Sequence, residues 1–222
     1  MALQSQGVLI RRESSVAGTT GTLTAQTDIG FSEGATAITR QAGFAGFDVG
    51  MRVRANSALN DGVWTVKGGT GDTAMTVHEA LTSEASGAAI TLIGHTMQNI
   101  GQVISFNGPS LTANPIDVTT LASTAKEKLI GPYDGGQIAV SVVLDNETSN
   151  ANLHLQLEDD LRARTKRVFD IVFTESATTP SAVWCEGYIS GFSITGSVDN
   201  ALKADITLSI STEVYFINRV AT

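Results

Sequence analysis

The sequence predicts a mainly β protein of the α+β type, an antiparallel β-sandwich with one flanking α-helix, together with a small β-sandwich or barrel. Short apolar segments recur along the 222 residues and are separated by Gly, Asn and Asp turns. One segment has helical spacing. Hydrophobic residues make up 42% of the chain, which is enough for a packed core, so disorder is not expected.

The first part of the chain combines a strand, a loose segment and a β unit. Residues 4–13 predict a short strand, and residues 14–26 predict a linker or irregular arm because they are rich in Gly, Thr and Ser. Between residues 27 and 94, five or six short strands are separated by turn signals such as Asn60-Asp61-Gly62. This spacing predicts a small β domain.

The middle of the chain has one short strand and a long segment without strand period. Residues 103–106 predict a strand that ends at Gly108-Pro109. Residues 111–136 predict a long loop with one helical turn near residues 125–129. A loop of this length inside a compact domain is uncommon, and such loops are usually functional or mobile.

The last part predicts a strand, a helix and three further strands. Residues 137–144 place alternate apolar side chains on one face, and Leu153, Leu157 and Leu161 recur at the spacing of one helix stripe. Residues 153–157 also fit a strand, but the acids at 158–160 and the cations that follow favour a helix. The strands at 168–173, 184–194 and 202–214 follow, and the last alternates apolar residues with Lys203, Asp205, Thr207 and Ser209.

Charge and hydropathy exclude several classes of protein. The formal net charge is −8, which argues against a nucleic-acid binder that needs clustered cations, although an acidic wall would let DNA slide past. No apolar run is long enough to span a bilayer, and residues 1–12 lack the layout of a signal peptide. We therefore expect synthesis and folding in a cytoplasm.

No motif of a phosphate-binding loop, a dinucleotide site or a nucleophile elbow is present, so we expect no catalytic, cofactor or metal site. The three histidines are scattered, and Cys185 lies in an apolar strand pattern that favours a buried side chain. The acids at 158–160 suggest a solvated helix face. Two alternatives stay open: Glu186 and Glu213 as a glycosidase pair, and the two tryptophans as sugar-stacking platforms rather than core residues.

Several segments resemble, in order and spacing, the tail tube (major tail) proteins of long-tailed, lambda-like siphophages. The matching segments are residues 1–7 (MALQSQG), 100–110 (IGQVISFNGPS), 116–119 (IDVT), 123–127 (STAKE), 129–131 (LIG), 134–136 (DGG), 187–194 (GYISGFSI), 198–199 (VD) and 203–208 (KADITL). Each is short, but together they span most of the chain outside residues 27–94.

The resemblance implies a structural virion protein, not an enzyme. Six copies would form a ring, and rings would stack into a hollow tube through which DNA reaches the host. The implied partners are further copies of the chain, a tape-measure protein, tail terminator and tip proteins, and double-stranded DNA in transit without specific binding, with no membrane insertion. The implied location is the virion tail, assembled in the cytoplasm of the host bacterium.

The resemblance also implies roles for particular residues. The segment matched by 115–136 would contact the next ring, through Ile116, Asp117, Lys126, Glu127, Leu129, Ile130 and Asp134. We expect the strands at 137–144 and 202–212 to reach a neighbouring subunit or the lumen, through Gln137, Ser141, Lys203, Asp205, Thr207 and Ser209.

The chain departs from the simple family pattern between its first and second matching segments. We therefore expect a discontinuous tube domain, residues 1–26 and 95–222, that carries an inserted β domain, residues 27–94, on the outer tube surface. The inserted part resembles a small β module found in phage proteins. The alternative function is a two-domain β adhesin or carbohydrate-binding module.

Overall fold

The structure is a computed structural model that describes residues 7–14, 21–69, 71–120, 124–143, 153–173, 181–196 and 202–217. These residues form 17 strands and one helix. The elements are β1 (Val8–Glu13), β2 (Thr22–Gln26), β3 (Gly30–Ser32), β4 (Ala37–Thr39), β5 (Arg52–Ala55), β6 (Gly62–Gly68), β7 (Ala74–Val77), β8 (Ile90–His95), β9 (Met97–Asn99), β10 (Gln102–Asn107), β11 (Thr112–Asp117), β12 (Lys128–Asp134), β13 (Gln137–Val143), α1 (Leu153–Ala163), β14 (Arg167–Phe173), β15 (Ser181–Thr195), β16 (Lys203–Ile210) and β17 (Tyr215–Ile217). The predicted fold class, mainly β with antiparallel sheets and one helix, is confirmed.

The larger sheet has eight strands in the order β10-β13-β16-β15-β14-β1-β9, and β17 pairs with β15. Its inner face is apolar. Strands β13 and β16 contribute Ile138, Val140 and Val142 and, opposite them, Ala204, Ile206 and Leu208, each at most 2% exposed. The alternation predicted for both strands is therefore confirmed, because one face of each strand packs into a core and the other does not.

The helix α1 closes this core from one side. Leu157 is fully buried among the strand residues, and Leu161 packs against the same cluster. The described residues confirm the predicted helix. The polar residues 146–150, whose side chains fit a helix cap, lie outside the described residues. In the described part of the chain, no helix has the length and apolar character needed to cross a membrane.

The smaller sheet has seven strands in the order β2-β8-β5-β6-β7-β4-β3, and it encloses a separate core. That core holds Phe31, Phe44, Phe47 and Trp64, all less than 8% exposed. The sheet includes β2, which pairs with β8, so the sequence-based assignment of residues 22–26 to a linker is wrong. Thr-rich segments are compatible with strands as well as with linkers, and pairing decides between them.

The two sheets pack directly on each other. Strand β14 is buried on both faces: Phe169 and Ile171 face the core of the larger sheet, while Val168 and Val172 join Val63 of the smaller sheet in a third apolar cluster. Trp184 lies in the same cluster and is 1% exposed. Core packing of both tryptophans is therefore confirmed.

Buried charges join the sheets beside the third cluster. Asp170 and Arg52 are both fully buried, and Arg52 Nε donates to Asp170 Oδ2 over 2.9 Å. Arg11 Nε donates to the other oxygen of Asp170, also over 2.9 Å. A second contact lies where the chain passes between the sheets, with 2.8 Å between His95 Nδ1 and Glu13 Oε1. Asp170 and Arg52 therefore each gain a charged partner in place of water.

The acids at 158–160 do not form a uniformly solvated face as predicted. Asp160 is 3% exposed, and its carboxylate accepts hydrogen bonds from Arg12 Nε at 2.6 Å and Arg167 Nε at 3.0 Å. The prediction is wrong for this residue because the buried Arg12 of β1 requires an anionic partner, and α1 supplies it.

Candidate assembly surfaces

The segment predicted as a long loop is an antiparallel hairpin, formed by β11 and β12 as a two-stranded sheet of its own. The predicted helical turn near residues 125–129 is also wrong, since β12 begins at Lys128. Every residue of β11 is exposed, and so is every residue of β12 apart from the half-buried Gly131. A strand with no buried face shows no alternation, which is why the sequence pattern did not reveal these strands.

Large apolar side chains of the hairpin face solvent. Ile116 is 53% exposed, Leu129 is 60% exposed and Ile130 is 73% exposed. Ile116 and Leu129 are opposite each other in the register, and Pro115 is opposite Ile130. A two-stranded hairpin is at best marginally stable alone in water, and clustered exposed apolar side chains mark interaction sites.

The charged residues predicted for this contact are at the two ends of the hairpin. Asp117 is opposite Lys128, and Lys126 and Glu127 are exposed in the connection between the strands. Hydrogen bonds from the hydroxyl and the backbone N–H of Thr119 lower the pKa of Asp117. Asp134 is at the opposite end, paired with Thr112.

The root of the hairpin is held by two glycines. A Cβ on Gly135 would lie 2.5 Å from Cγ2 of Ile210, so β12 approaches the end of β16 more closely than a side chain allows. Gly136 has a φ of 70°, its N–H donates to Asp134 Oδ1 over 2.9 Å, and its carbonyl accepts from Ile210 N over 3.0 Å. The Asp-Gly-Gly motif therefore fixes where the hairpin leaves the larger sheet.

A second surface, called here the hydroxyl face, lies on the outer side of β13 and β16. It contains all six residues predicted for a subunit or lumen contact: Gln137, Ser141, Lys203, Asp205, Thr207 and Ser209. Gln137 pairs with Ser209, and Ser141 pairs with Asp205 and donates a hydrogen bond to its carboxylate. All six are exposed or half-buried. The predicted residues share one face because successive strand residues alternate sides.

The hydroxyl face is nearly neutral. Among its six residues it has one acid, Asp205, and one base, Lys203, and the other side chains are small or uncharged. The net charge of −8 is therefore not concentrated on this surface. A neutral, hydroxyl-lined wall offers a phosphate backbone few cations to bind.

The carboxylates considered for glycosidase chemistry have structural partners. Glu186 Oε2 forms an ion pair with Lys166 Nζ at 2.6 Å, and the hydrogen bond that Nζ donates raises the pKa of the lysine. Glu213 Oε2 accepts from the Tyr215 hydroxyl at 3.3 Å. The Glu186 contact joins β15 to the segment between α1 and β14, and the Glu213 contact joins the turn after β16 to β17.

The structure also describes the surroundings of three other side chains considered for chemistry: Cys185, His78 and His95. Cys185 is 2% exposed, and burial raises its pKa to about 12, so the thiol is protonated at neutral pH. His95 is buried against Glu13, and His78 is half-buried. No cluster of three or more His, Cys, Asp or Glu side chains suited to a metal ion occurs in the described ranges.

The buried ion pairs were not predicted from the sequence, and the main example is the pair of Arg52 and Asp170. They are 118 residues apart, so no local spacing joins them. Asp170 could have indicated such a pair, since it is an acid inside an otherwise apolar segment. A carboxylate buried in such a strand requires a cationic partner.

No protein-family model matches the sequence, and no curated protein matches it. Among solved structures, a chain from the "Virion of native gene transfer agent (GTA) particle" is similar over 55% of this chain and 88% of that chain, with 15% sequence identity and a TM-score of 0.43. A likeness at this level assigns no function to the chain.

Proposed function

We propose that this chain is a structural subunit of a phage-type tail tube, which polymerises through the hairpin and the hydroxyl face. The observation that carries the proposal is the hairpin, a two-stranded sheet with Ile116, Leu129 and Ile130 more than half exposed. The ordered sequence segments that resemble tail tube proteins support the same reading and include this hairpin.

The exposed apolar side chains of the hairpin favour its burial against another copy of the chain. Burial of apolar area stabilises by roughly 25 cal/mol per Å², so packing these side chains against another copy is favourable. In this proposal the hairpin packs on a different part of the next subunit and not on that subunit's own hairpin. Such a heterologous contact repeats from copy to copy and generates rings or open polymers instead of closed pairs.

In the proposed assembly six subunits form a ring and rings stack into a tube. The hairpin contacts the next ring, and the hydroxyl face lies at the subunit boundary or lines the lumen. Double-stranded DNA passes without specific binding, because the face carries balanced charges. The proposed setting is the virion tail, assembled in the host cytoplasm with a tape-measure protein and tail terminator and tip proteins, and the chain is not an enzyme.

The smaller sheet gives the carbohydrate-binding alternative little support. Its four aromatic side chains, Phe31, Phe44, Phe47 and Trp64, are all buried in its own core. Sugar recognition by stacking requires an exposed aromatic face. We propose that this sheet lies on the outer side of the tube as an inserted domain.

The proposal is tested by one substitution and a matched control. Ile130→Asp should abolish polymers, measured by light scattering and sedimentation, while the circular dichroism spectrum stays unchanged because the side chain is 73% exposed. Val49→Asp is the control, since Val49 is 65% exposed in the connection between β4 and β5, and this variant should polymerise normally. Polymers of unchanged amount from Ile130→Asp would contradict the proposal.

A further inference from the structure

Three buried polar atoms where the two sheets meet have no hydrogen-bond partner among the described residues. They are Glu13 Oε2, Arg52 Nη2 and Trp184 Nε1. Each of the three residues is at most 1% exposed, so bulk solvent does not reach these atoms. A buried donor or acceptor without a partner destabilises the fold, and in folded proteins nearly all such groups are bonded to protein or to an ordered water.

The remaining atoms of the two charged groups are held by protein partners. Glu13 Oε1 lies 2.8 Å from His95 Nδ1. The Arg52 guanidinium donates through Nε to Asp170 Oδ2 over 2.9 Å and through Nη1 to the hydroxyl of Thr65. These contacts fix both side chains, so Glu13 Oε2 and Arg52 Nη2 cannot turn towards other protein groups without breaking existing hydrogen bonds.

Five residues form what is called here the junction cluster: Glu13, Arg52, His95, Asp170 and Trp184. Arg52 is directly opposite His95 in the pairing of β5 with β8, and Asp170 is directly opposite Trp184 in the pairing of β14 with β15. The ring centres of His95 and Trp184 are 6.2 Å apart. Together with the Glu13–His95 and Arg52–Asp170 contacts, these pairs close a circuit, so the three unpartnered atoms belong to one buried cluster.

The chemistry of the unpartnered atoms decides which ligand fits the junction cluster. Arg52 Nη2 and Trp184 Nε1 only donate hydrogen bonds, whereas Glu13 Oε2, as a carboxylate oxygen, accepts them. A cation would face the guanidinium and the indole N–H, and an anion would face the Glu13 carboxylate. Water both donates and accepts, and a buried water typically makes about three hydrogen bonds to groups that otherwise have no partner.

We propose that the junction cluster is an internal water-binding site, in which water accepts hydrogen bonds from Arg52 Nη2 and Trp184 Nε1 and donates one to Glu13 Oε2. Glu13 and Trp184 belong to strands of the larger sheet and Arg52 to a strand of the smaller sheet, so the bound water links the two sheets. The site concerns how the subunit is held together and is independent of whether the subunit builds a tube.

Nuclear Overhauser effects between water and the indole N–H protons test this site in the unassembled subunit. The chain has two tryptophans, and Trp64 is a built-in control because its Nε1 donates to the carbonyl of Ala80 over 3.2 Å. We expect a cross-peak from long-lived water at the Trp184 indole proton and none at that of Trp64. Trp64→Phe removes one of the two indole resonances and so assigns both.

A second variant separates bound water from an exchanging hydroxyl, which gives a cross-peak of the same kind. The Tyr215 ring lies 5.5 Å from that of Trp184, centre to centre, and Tyr215→Phe removes its hydroxyl. The cross-peak at Trp184 should persist in this variant. Its loss in Tyr215→Phe, or its absence from the parent protein, would overturn the proposal. If the parent polymerises, the same spectra are recorded in the Ile130→Asp background, where the expected cross-peaks are unchanged.

Discussion

Removing the charge of Asp170 tests how firmly the two sheets are joined. Arg11 binds both carboxylate oxygens, with Nε donating to Oδ1 over 2.9 Å and Nη2 donating to Oδ2, while Arg52 Nε also donates to Oδ2 over 2.9 Å. Asp170→Asn keeps the shape of the side chain but replaces one acceptor with an NH₂ donor. One guanidinium then faces a donor, and the fully buried Arg52 loses its nearest counter-ion.

The expected cost follows from this geometry. Breaking a buried ion pair by removing one partner typically destabilises a protein by about 3–5 kcal/mol. Arg52 retains Glu79 at 3.8 Å, which places the expected loss at the lower end of that range. For a chain of this size, 3 kcal/mol corresponds to a fall in Tm on the order of 10 °C.

Thermal denaturation followed by circular dichroism measures this effect. Asp159→Asn is the matched control, because Asp159 is exposed on α1 and its substitution should change Tm by less than about 2 °C. The triple variant Arg11→Met/Arg52→Met/Asp170→Leu removes Asp170 together with both of its arginine partners, and it should recover much of the lost stability. A Tm for Asp170→Asn equal to that of Asp159→Asn would show that these charges do not hold the sheets together.

Two further predictions concern single positions. Burial raises the pKa of Cys185 to about 12, so the folded state favours the protonated thiol. The stabilisation that this preference provides is complete below the unfolded pKa of about 9 and is lost as pH rises towards 12. The free energy of unfolding, measured by urea denaturation, should fall with rising alkaline pH in the parent and fall less in Cys185→Ala. Equal slopes of unfolding free energy against pH in the two proteins would contradict this prediction. Gly135→Ala should destabilise by about 1–3 kcal/mol because its Cβ would meet Ile210 at 2.5 Å, whereas Gly34→Ala, with open space around it, should not. Equal unfolding free energies for these two variants would show that the root of the hairpin is not tightly packed.

The sequence predicted those elements whose side chains alternate between water and a core. Strands β13 and β16 and helix α1 have one buried stripe each, so their periods are visible in the residues alone. The hairpin has no buried face, and Pro115 and Pro132 interrupt it, so its pairing could not be read from local pattern.

The buried ion pairs could not be predicted from local sequence pattern either, because their partners are far apart in the chain. Arg12 and Asp160 meet across 148 positions, and only the folded chain brings them together. The candidate surfaces were predictable in part: the residues of the hydroxyl face follow from strand alternation, while their assembly role came from the resemblance to tail tube proteins. Their roles in a ring stay a prediction.

Electron cryo-microscopy of the purified protein under polymerising conditions would show whether the chain builds a tube. We expect hollow tubes of stacked six-membered rings, with β11 and β12 crossing from one ring to the next and Asp205 and Thr207 at the lumen or a subunit boundary. Dispersed monomers under all conditions, or an assembly in which the hairpin is in solvent and contacts no other subunit, would contradict it.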